Sequence, residues 1–333
     1  MTVFRFVLIT LLSATLFGGC NGNGPQLKQN ISGKAGEIII VTNKANWESE
    51  SGAEMRSILA ADYPFLPQRE PAFNLINIGE KNFDKLFQIH RNIVIMQVNP
   101  EFTEAKMVAQ EDIWAAPQIV VTITAPTEQA ATALLKEKSD LLYNTISQAE
   151  RNRIIRNSKI YEERDLRRIV SEEFGGSPYF PKGYSIKKKA ENFMWISYET
   201  TYTNQGIFVY RIPYKDSTSM NVDNLIAARN EMLARNVPGQ LDNSYMTTSG
   251  EKTPALHWMK YKKRDFAEVR GLWEVQNDFM GGPFVSHAFY DKDSANIIVL
   301  EGFVYAPRYD KRNYLRQVES MLYSFDWKED FNK

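Results

Sequence analysis

From Thr127 to Phe174 the chain runs ~48 residues without a glycine or a proline, the two residues that most penalise a helix interior. That stretch does most to restrict the folds open to this sequence. As one rod it would reach roughly 70 Å at 1.5 Å per residue, longer than a globular helix usually is. Asn152–Ser158 gathers polar residues of poor helix propensity, and a break is expected there. Leu134, Leu135, Leu141, Leu142 and Ile146 fall toward one side of the first part, without a sustained heptad. The reading is a core-packing helix followed by an interdomain helix; a stalk or coiled coil is the alternative.

What flanks the run differs on its two sides. Before it, "GEIIIVTN" (Gly36–Asn43) and "NIVIMQVN" (Asn92–Asn99) are short continuous apolar runs, the pattern of strands buried on both faces. Residues 71–78, 106–115 and 117–125 add further strand candidates, with helical spacing in 43–63 and 80–90. After it, "GGSPYFPKGY" (Gly175–Tyr184) places three glycines and two prolines in ten residues and marks a domain boundary. The block beyond reads as strands in 184–199 and 206–214, hairpin pairs in 255–278 and 284–307, a helix stopped at Pro238–Gly239, and an amphipathic terminal helix carrying Tyr314, Leu315, Val318, Met321 and Leu322. The expected fold class is therefore α+β: two mixed α/β domains joined by a long helical segment, the second an antiparallel sheet with two helices. Boundaries are placed at 36–176 and 177–328, each half being large enough to bury its own core.

The N-terminus fixes an address. "MTVFRFVLITLLSATLF" has one basic residue, Arg5, and then about a dozen largely apolar residues, the length of a signal-peptide h-region and short of the ~20 a membrane-spanning helix needs. Gly18 and Gly19 precede Cys20, the only cysteine of the chain. This arrangement resembles the lipobox of bacterial lipoproteins, with Phe17 where that pattern usually has leucine. The resemblance implies a signal peptide over 1–19, acylation of the Cys20 sulfur, and a mature chain held on a lipid bilayer. One acyl chain binds marginally and two anchor stably. A lipidated Cys20 leaves no thiol for a disulfide, so the core alone must hold the fold. Residues 20–35, rich in Gly, Asn, Gln and Ser, read as a flexible tether with a span of roughly 20 Å. No acidic cluster follows Cys20; acidic residues there resemble a surface-export signal in Bacteroidota lipoproteins, so the reading favours the outer membrane, facing the periplasm.

Charge excludes one class of partner. Forty Lys+Arg stand against forty Asp+Glu, which leaves no long-range field to gather nucleic acid. The basic stretches Lys187–Lys189 and Lys260–Asp265 lie between strand-like segments and read as solvated strand faces or hairpin turns.

The search for chemistry finds no motif. His90, His257 and His287 lack metal-ligand spacing, although His257 and His287 would meet if their strands were neighbours. There is no Gly-x-Ser-x-Gly elbow and no phosphate loop. "DKDSAN" (Asp291–Asn296) lacks the glycine and late glutamate of a calcium loop and reads as a hairpin turn. Glu172 and Glu173 are adjacent on a helix and point apart. No cofactor, metal or catalytic residue is assigned. Tyr179, Phe180 and Tyr184 are the candidate binding residues, either as an exposed aromatic platform or as rings that fasten the linker to the second core.

Two resemblances complete the reading. "PKGYSIKKKAENFMWISYE" and "VLEGFVYAPRYDKRNYLRQVESMLYSF" are similar to PsbP-like α/β/α sandwich domains, over the C-terminal half. Together with the lipobox, "GEIIIVTN" and "GGSPYFPKGY", they make the whole chain resemble a family of Bacteroidota envelope lipoproteins, domain of unknown function 4837. That resemblance implies location and transfers no catalytic residue. The expected function is a membrane-anchored, non-enzymatic protein that binds or scaffolds an envelope protein or glycan. The alternatives are an envelope hydrolase acting on glycan or peptide, whose sign would be a cleft between the domains with converging His or acidic groups, and a small-ligand receptor.

Overall fold

The computed structural model describes residues 28–293 and 295–331. Cys20 and the signal-peptide assignment lie outside the described residues. Of the segment read as a tether, the last part is docked: Gln29–Asn30 pairs in parallel with Ala115–Ala116, and the Ser32 amide donates to Ile89 O at 2.8 Å.

The first half is a five-stranded sheet. Its strands are β1 (Glu37–Val41), β2 (Asn74–Ile78), β3 (Asn92–Val98), β4 (Lys106–Glu111) and β5 (Ile119–Ala125). They lie in the order β2-β1-β3-β5-β4, parallel except for β4. The β-branched runs Ile38–Val41 and Ile93–Val94 are buried on both faces, as a parallel layer requires. One face packs on α1 (Glu50–Leu59), α2 (Glu128–Glu137) and α3 (Ser139–Ile160). The other carries Ile39, Val41, Ile93 and Val120 under Phe83, Phe87 and Trp114.

The glycine-free run divides into α2, α3 and α4 (Arg164–Phe174). Thr127 caps α2, its Oγ1 accepting from the Ala130 amide at 3.2 Å. The break expected at Asn152–Ser158 is absent, because α3 continues through it with Ser158 Oγ donating to Ile154 O. The chain instead leaves the helix at Tyr161–Glu163, where Tyr161 O accepts from the Lys182 amide and the Glu163 amide donates to Phe180 O. Tertiary pairing there outweighs the propensities of the Asn152–Ser158 segment. Gly175 ends α4 in the left-handed region, φ +77°.

The second half is one eight-stranded antiparallel sheet. Its strands are β6 (Ser185–Ala190), β7 (Phe193–Glu199), β8 (Asn204–Pro213), β9 (Met246–Thr248), β10 (Ala255–Tyr261), β11 (Arg264–Val275), β12 (Gly281–Tyr290) and β13 (Asn296–Tyr305). The order is β9-β11-β12-β13-β8-β7-β6, with β10 also on the outer side of β11. Helix α5 (Val222–Asn236) covers one face around Phe208, Tyr210 and Phe284. Here Gly206 leaves the space that the Phe303 ring fills when it stacks on Phe208 at 4.7 Å between centroids.

The other face meets α6 (Arg312–Tyr323), which lies between the large sheet and α3. Leu315, Val318 and Met321 of α6 join Leu142 and Ile146 of α3 in a cluster of buried side chains that runs from the first sheet to the second. The halves thus share a core across α6. The first turn of α6 is capped from the other half: the Glu70 carboxylate accepts from the Lys311 and Arg312 amides at 2.7 and 2.9 Å.

Candidate functional site

Where α3 and the 63–65 loop face the β10–β11 end of the large sheet, a cleft of about 720 Å³ opens. Its floor is built from alternate residues of β11. Glu268 and Arg270 point to the α6 side, while Ala267 and Val269, on either side of Glu268, point to the α5 core. Arg270 holds two carboxylates at once: Nε donates to Glu268 Oε1 and Nη2 donates to Glu319 Oε1, both at 2.7 Å. The Tyr63 hydroxyl donates to Glu319 Oε2 at 2.8 Å, and the Tyr323 hydroxyl donates to Glu268 Oε2 at 3.2 Å. Arg151 of α3 closes the ring, 3.6 Å from Glu319 and 3.7 Å over the Tyr323 ring. The network therefore ties α3, the 63–65 loop, β11 and α6 together.

Burial would raise both carboxyls, but Arg270 outweighs it, and Glu268 and Glu319 are held below the ordinary carboxylate range. Burial would lower the guanidinium of Arg270; the two carboxylates reverse that and hold it well above its usual value. Burial drives Tyr63 and Tyr323 upward, with Glu319 and Glu268 respectively adding to it. Behind the floor, His287 is fully buried between Phe266 and Tyr323, its Nε2 3.6 Å from Glu268 Oε2 and beyond hydrogen-bonding reach. Burial lowers it to about 4 against the pull of the Glu268 charge, so the imidazole is neutral at pH 7.

The strands of His257 and His287 are not neighbours. They flank β11, where His257 pairs with Glu268 and Glu268 with His287, so one carboxylate stands between the two imidazoles in register. His257 is exposed at the cleft rim and His287 is sealed beneath. His90 lies elsewhere, 3.6 Å from Glu37 at the entry of the first sheet. Among the described residues no group of three His, Cys, Asp or Glu side chains is placed to hold a metal ion.

Of the two readings of the linker aromatics, the structure has the rings packed into the core and not set out as an exposed platform. Phe180 is 0 % exposed and Tyr179 is buried beneath Lys159 and Arg167, whose charged ends lie 4.6 and 4.5 Å from its ring centre. Tyr184 packs on Phe180 and Tyr198, and it borders a separate hollow of about 350 Å³ beside Arg91 and Arg153. The linker is a core element, with Gly176–Ser177 paired to Asp326–Trp327. The cleft residues Glu268, Arg270 and Glu319 were not singled out from the sequence. Their signal was a Glu-x-Arg pair on a strand whose alternate positions are Ala267 and Val269, which puts two charges on one face.

Residues 163–324 match the family described as domain of unknown function DUF4837, and residues 31–159 match a second, domain of unknown function DUF8532. The likeness to the first family, read over the whole chain from its sequence, is thus confined to the second half. The two matches meet at the break between α3 and α4. No curated protein matches the chain. Among solved structures, the human StarD13 (DLC2) lipid transfer and protein localization domain aligns with 49% of this chain and 95% of its own, at 11% identity and a TM-score of 0.22. That score carries no argument about fold or ligand. No helix among the described residues is long and apolar enough to cross a membrane.

Proposed function

We propose that this is a lipoprotein held at a bacterial envelope membrane by acyl chains on Cys20, and that its folded body is a non-enzymatic binding module with the interdomain cleft as its site. The envelope partner is a protein or a glycan. The reading takes the chain as a Bacteroidota-type lipoprotein of the outer membrane facing the periplasm, and its second half as a PsbP-like sandwich. The lipobox-like "LFGGC", the tether composition and the helix-covered antiparallel sheet support it.

The observation that favours binding over hydrolysis is the double engagement of Arg270. The cleft has the converging acidic groups that a hydrolase would need. Yet both carboxylates are held ionised by one guanidinium, and neither is a proton donor near neutral pH. His287 is neutral but sealed from the cleft. What remains is a rigid set of fixed charges with aromatic walls, which suits recognition.

Two experiments test the two parts. Fatty-acid labelling of wild type and Cys20→Ala, followed by membrane fractionation, should lose label and membrane association together in the variant. Retention of both would remove the anchor. For the cleft, a photoreactive benzoylphenylalanine in place of Met259 at the rim should cross-link a partner in detergent-solubilised envelopes. The same group in place of Leu86, an exposed residue of the first half, should not. Equal or absent adducts at the two positions would remove the binding module.

A further inference from the structure

We propose that the cleft's partner is a protein whose extended segment adds as a ninth strand to the large sheet, along the open edge of β10, and lays alternate side chains into the cleft. This rests on the cleft being a binding site and names what enters it.

The first ground is the edge itself. β10 pairs with β11 alone among the described strands. Its hairpin closes at Tyr261 and Arg264 around a two-residue turn, with Lys262 at φ +54°. In such a hairpin the closing pair is hydrogen-bonded, so Ala255, His257, Met259 and Tyr261 bond to β11. Leu256, Trp258 and Lys260 therefore turn their N–H and C=O groups outward. Alternate residues along one strand face repeat at about 6.8 Å, twice the per-residue rise, and another extended backbone presents the matching row. A glycan or a small metabolite does not.

The second ground is how the edges are treated. At the far end of the sheet β6 carries Lys187, Lys188 and Lys189, the charge that natural edges use to repel another strand. β10 instead exposes Trp258 (62 %) and Met259 (38 %). The edge strand β4 of the first sheet is also exposed, but none of its residues borders this cleft.

The third ground is the opposite wall. Asp140, Asn144, Ser147 and Arg151 recur at helical spacing on α3 and line the cleft across from His257 and Met259. An edge strand beside a helix, with a groove between them, is the geometry in which β-augmentation gains affinity from main-chain bonds and specificity from alternate side chains. An added strand would send every second side chain toward Asp140 and Arg151, and the others toward Trp258. At the hairpin end Lys260 and Lys262 lie 3.7 and 3.9 Å from Asp265 and Asp326, and Lys263 beside them is the charge that an acidic side chain of the passing segment meets.

The test uses the full chain without its signal peptide and a phage-displayed random dodecapeptide library as probe. Selected peptides should be rich in β-branched and acidic residues. Binding should slow amide exchange at Leu256, Trp258 and Lys260. Trp258→Pro removes an outward N–H that the ladder does not use and should weaken binding at least tenfold, while Trp258→Ala should stay within a few-fold of wild type. If Trp258→Pro fails to fold, the exchange measurement decides alone. Peptides that lose affinity in Arg151→Ala but leave β10 exchange unchanged would overturn the added strand and keep the cleft. No selected peptide, with Met259 cross-links still formed, would overturn it in the same way. Slow β10 exchange without peptide, in a chain that sediments as a dimer, would give the edge to a second copy and overturn it too.

Discussion

Arg270 and Glu319 meet at 2.7 Å, the shortest of the side-chain bonds that join the floor strand β11 to the helix shared by both halves. Both side chains are buried; losing the Glu319 charge leaves Arg270 with Glu268 alone and weakens the acceptor of the Tyr63 hydroxyl. Glu319→Gln should cost about 3–5 kcal/mol, read as a lower urea midpoint with unchanged slope. Arg270→Met placed on top should cost less than the sum of the two single changes, since the Arg270–Glu319 contact they share is lost only once.

Stability should fall on acidification before the carboxylates titrate. His287 ionises at 6.5 unfolded and about 4 folded, so between those values the unfolded chain binds a proton that the native chain refuses. Native stability therefore declines as pH drops from 6.5 to 4, by on the order of 3 kcal/mol from this group. His90, lowered chiefly by burial, acts with the same sign. Glu268 and Glu319, depressed in the native state, contribute stability above the unfolded carboxylate range that is lost as pH falls through and below it. Denaturation midpoints across pH 4–7 should be visibly flatter in His287→Gln.

Under α5, Arg229 and Glu301 form a second sealed pair, with Nη2 to Oε1 at 2.7 Å and Nε to Oε2 at 2.9 Å. Arg229 borders a hollow of only about 10 Å³ and lies 3.9 Å over the Phe284 ring. Arg229→Met alone should destabilise by about 3–5 kcal/mol, and Arg229→Met with Glu301→Leu should recover most of that. Thermal unfolding of the three proteins checks it.

Phe180 should behave as core. Phe180→Ala should lose about 3–5 kcal/mol of stability and leave cross-linking at Met259 unchanged wherever the protein is folded. A change in binding with stability intact would restore the aromatic platform.

The sequence discloses the fold through local periodicity. "EIIIV" and "NIVIMQV" announce a parallel layer, and "RDFAEVRGLWEV" with its hairpin partner announces an antiparallel one. The helix break was misplaced because local propensity at Asn152–Ser158 competes with pairing to residues 180–182, twenty residues on, which no local pattern displays. The cleft stayed hidden for the same reason. Tyr63, Arg151, Glu268 and Glu319 lie up to 256 residues apart and become a site only when α6 is seated. His257 and His287 came nearest, since each was placed on a strand. The carboxylate between them sits on the hairpin partner of the His257 strand, and what sequence spacing does not show is that the strand of His287 pairs on that partner's other side.

The cap that Glu70 places on α6 spans 241 residues of chain. During synthesis the parallel sheet therefore emerges long before the helix that its loop receives, and helix α3 must wait with an apolar flank uncovered. A nascent chain of this kind stays open to chaperones until α6 has emerged. A stop codon placed just before Arg312 would then release a product whose defect lies in the first half as much as in the second.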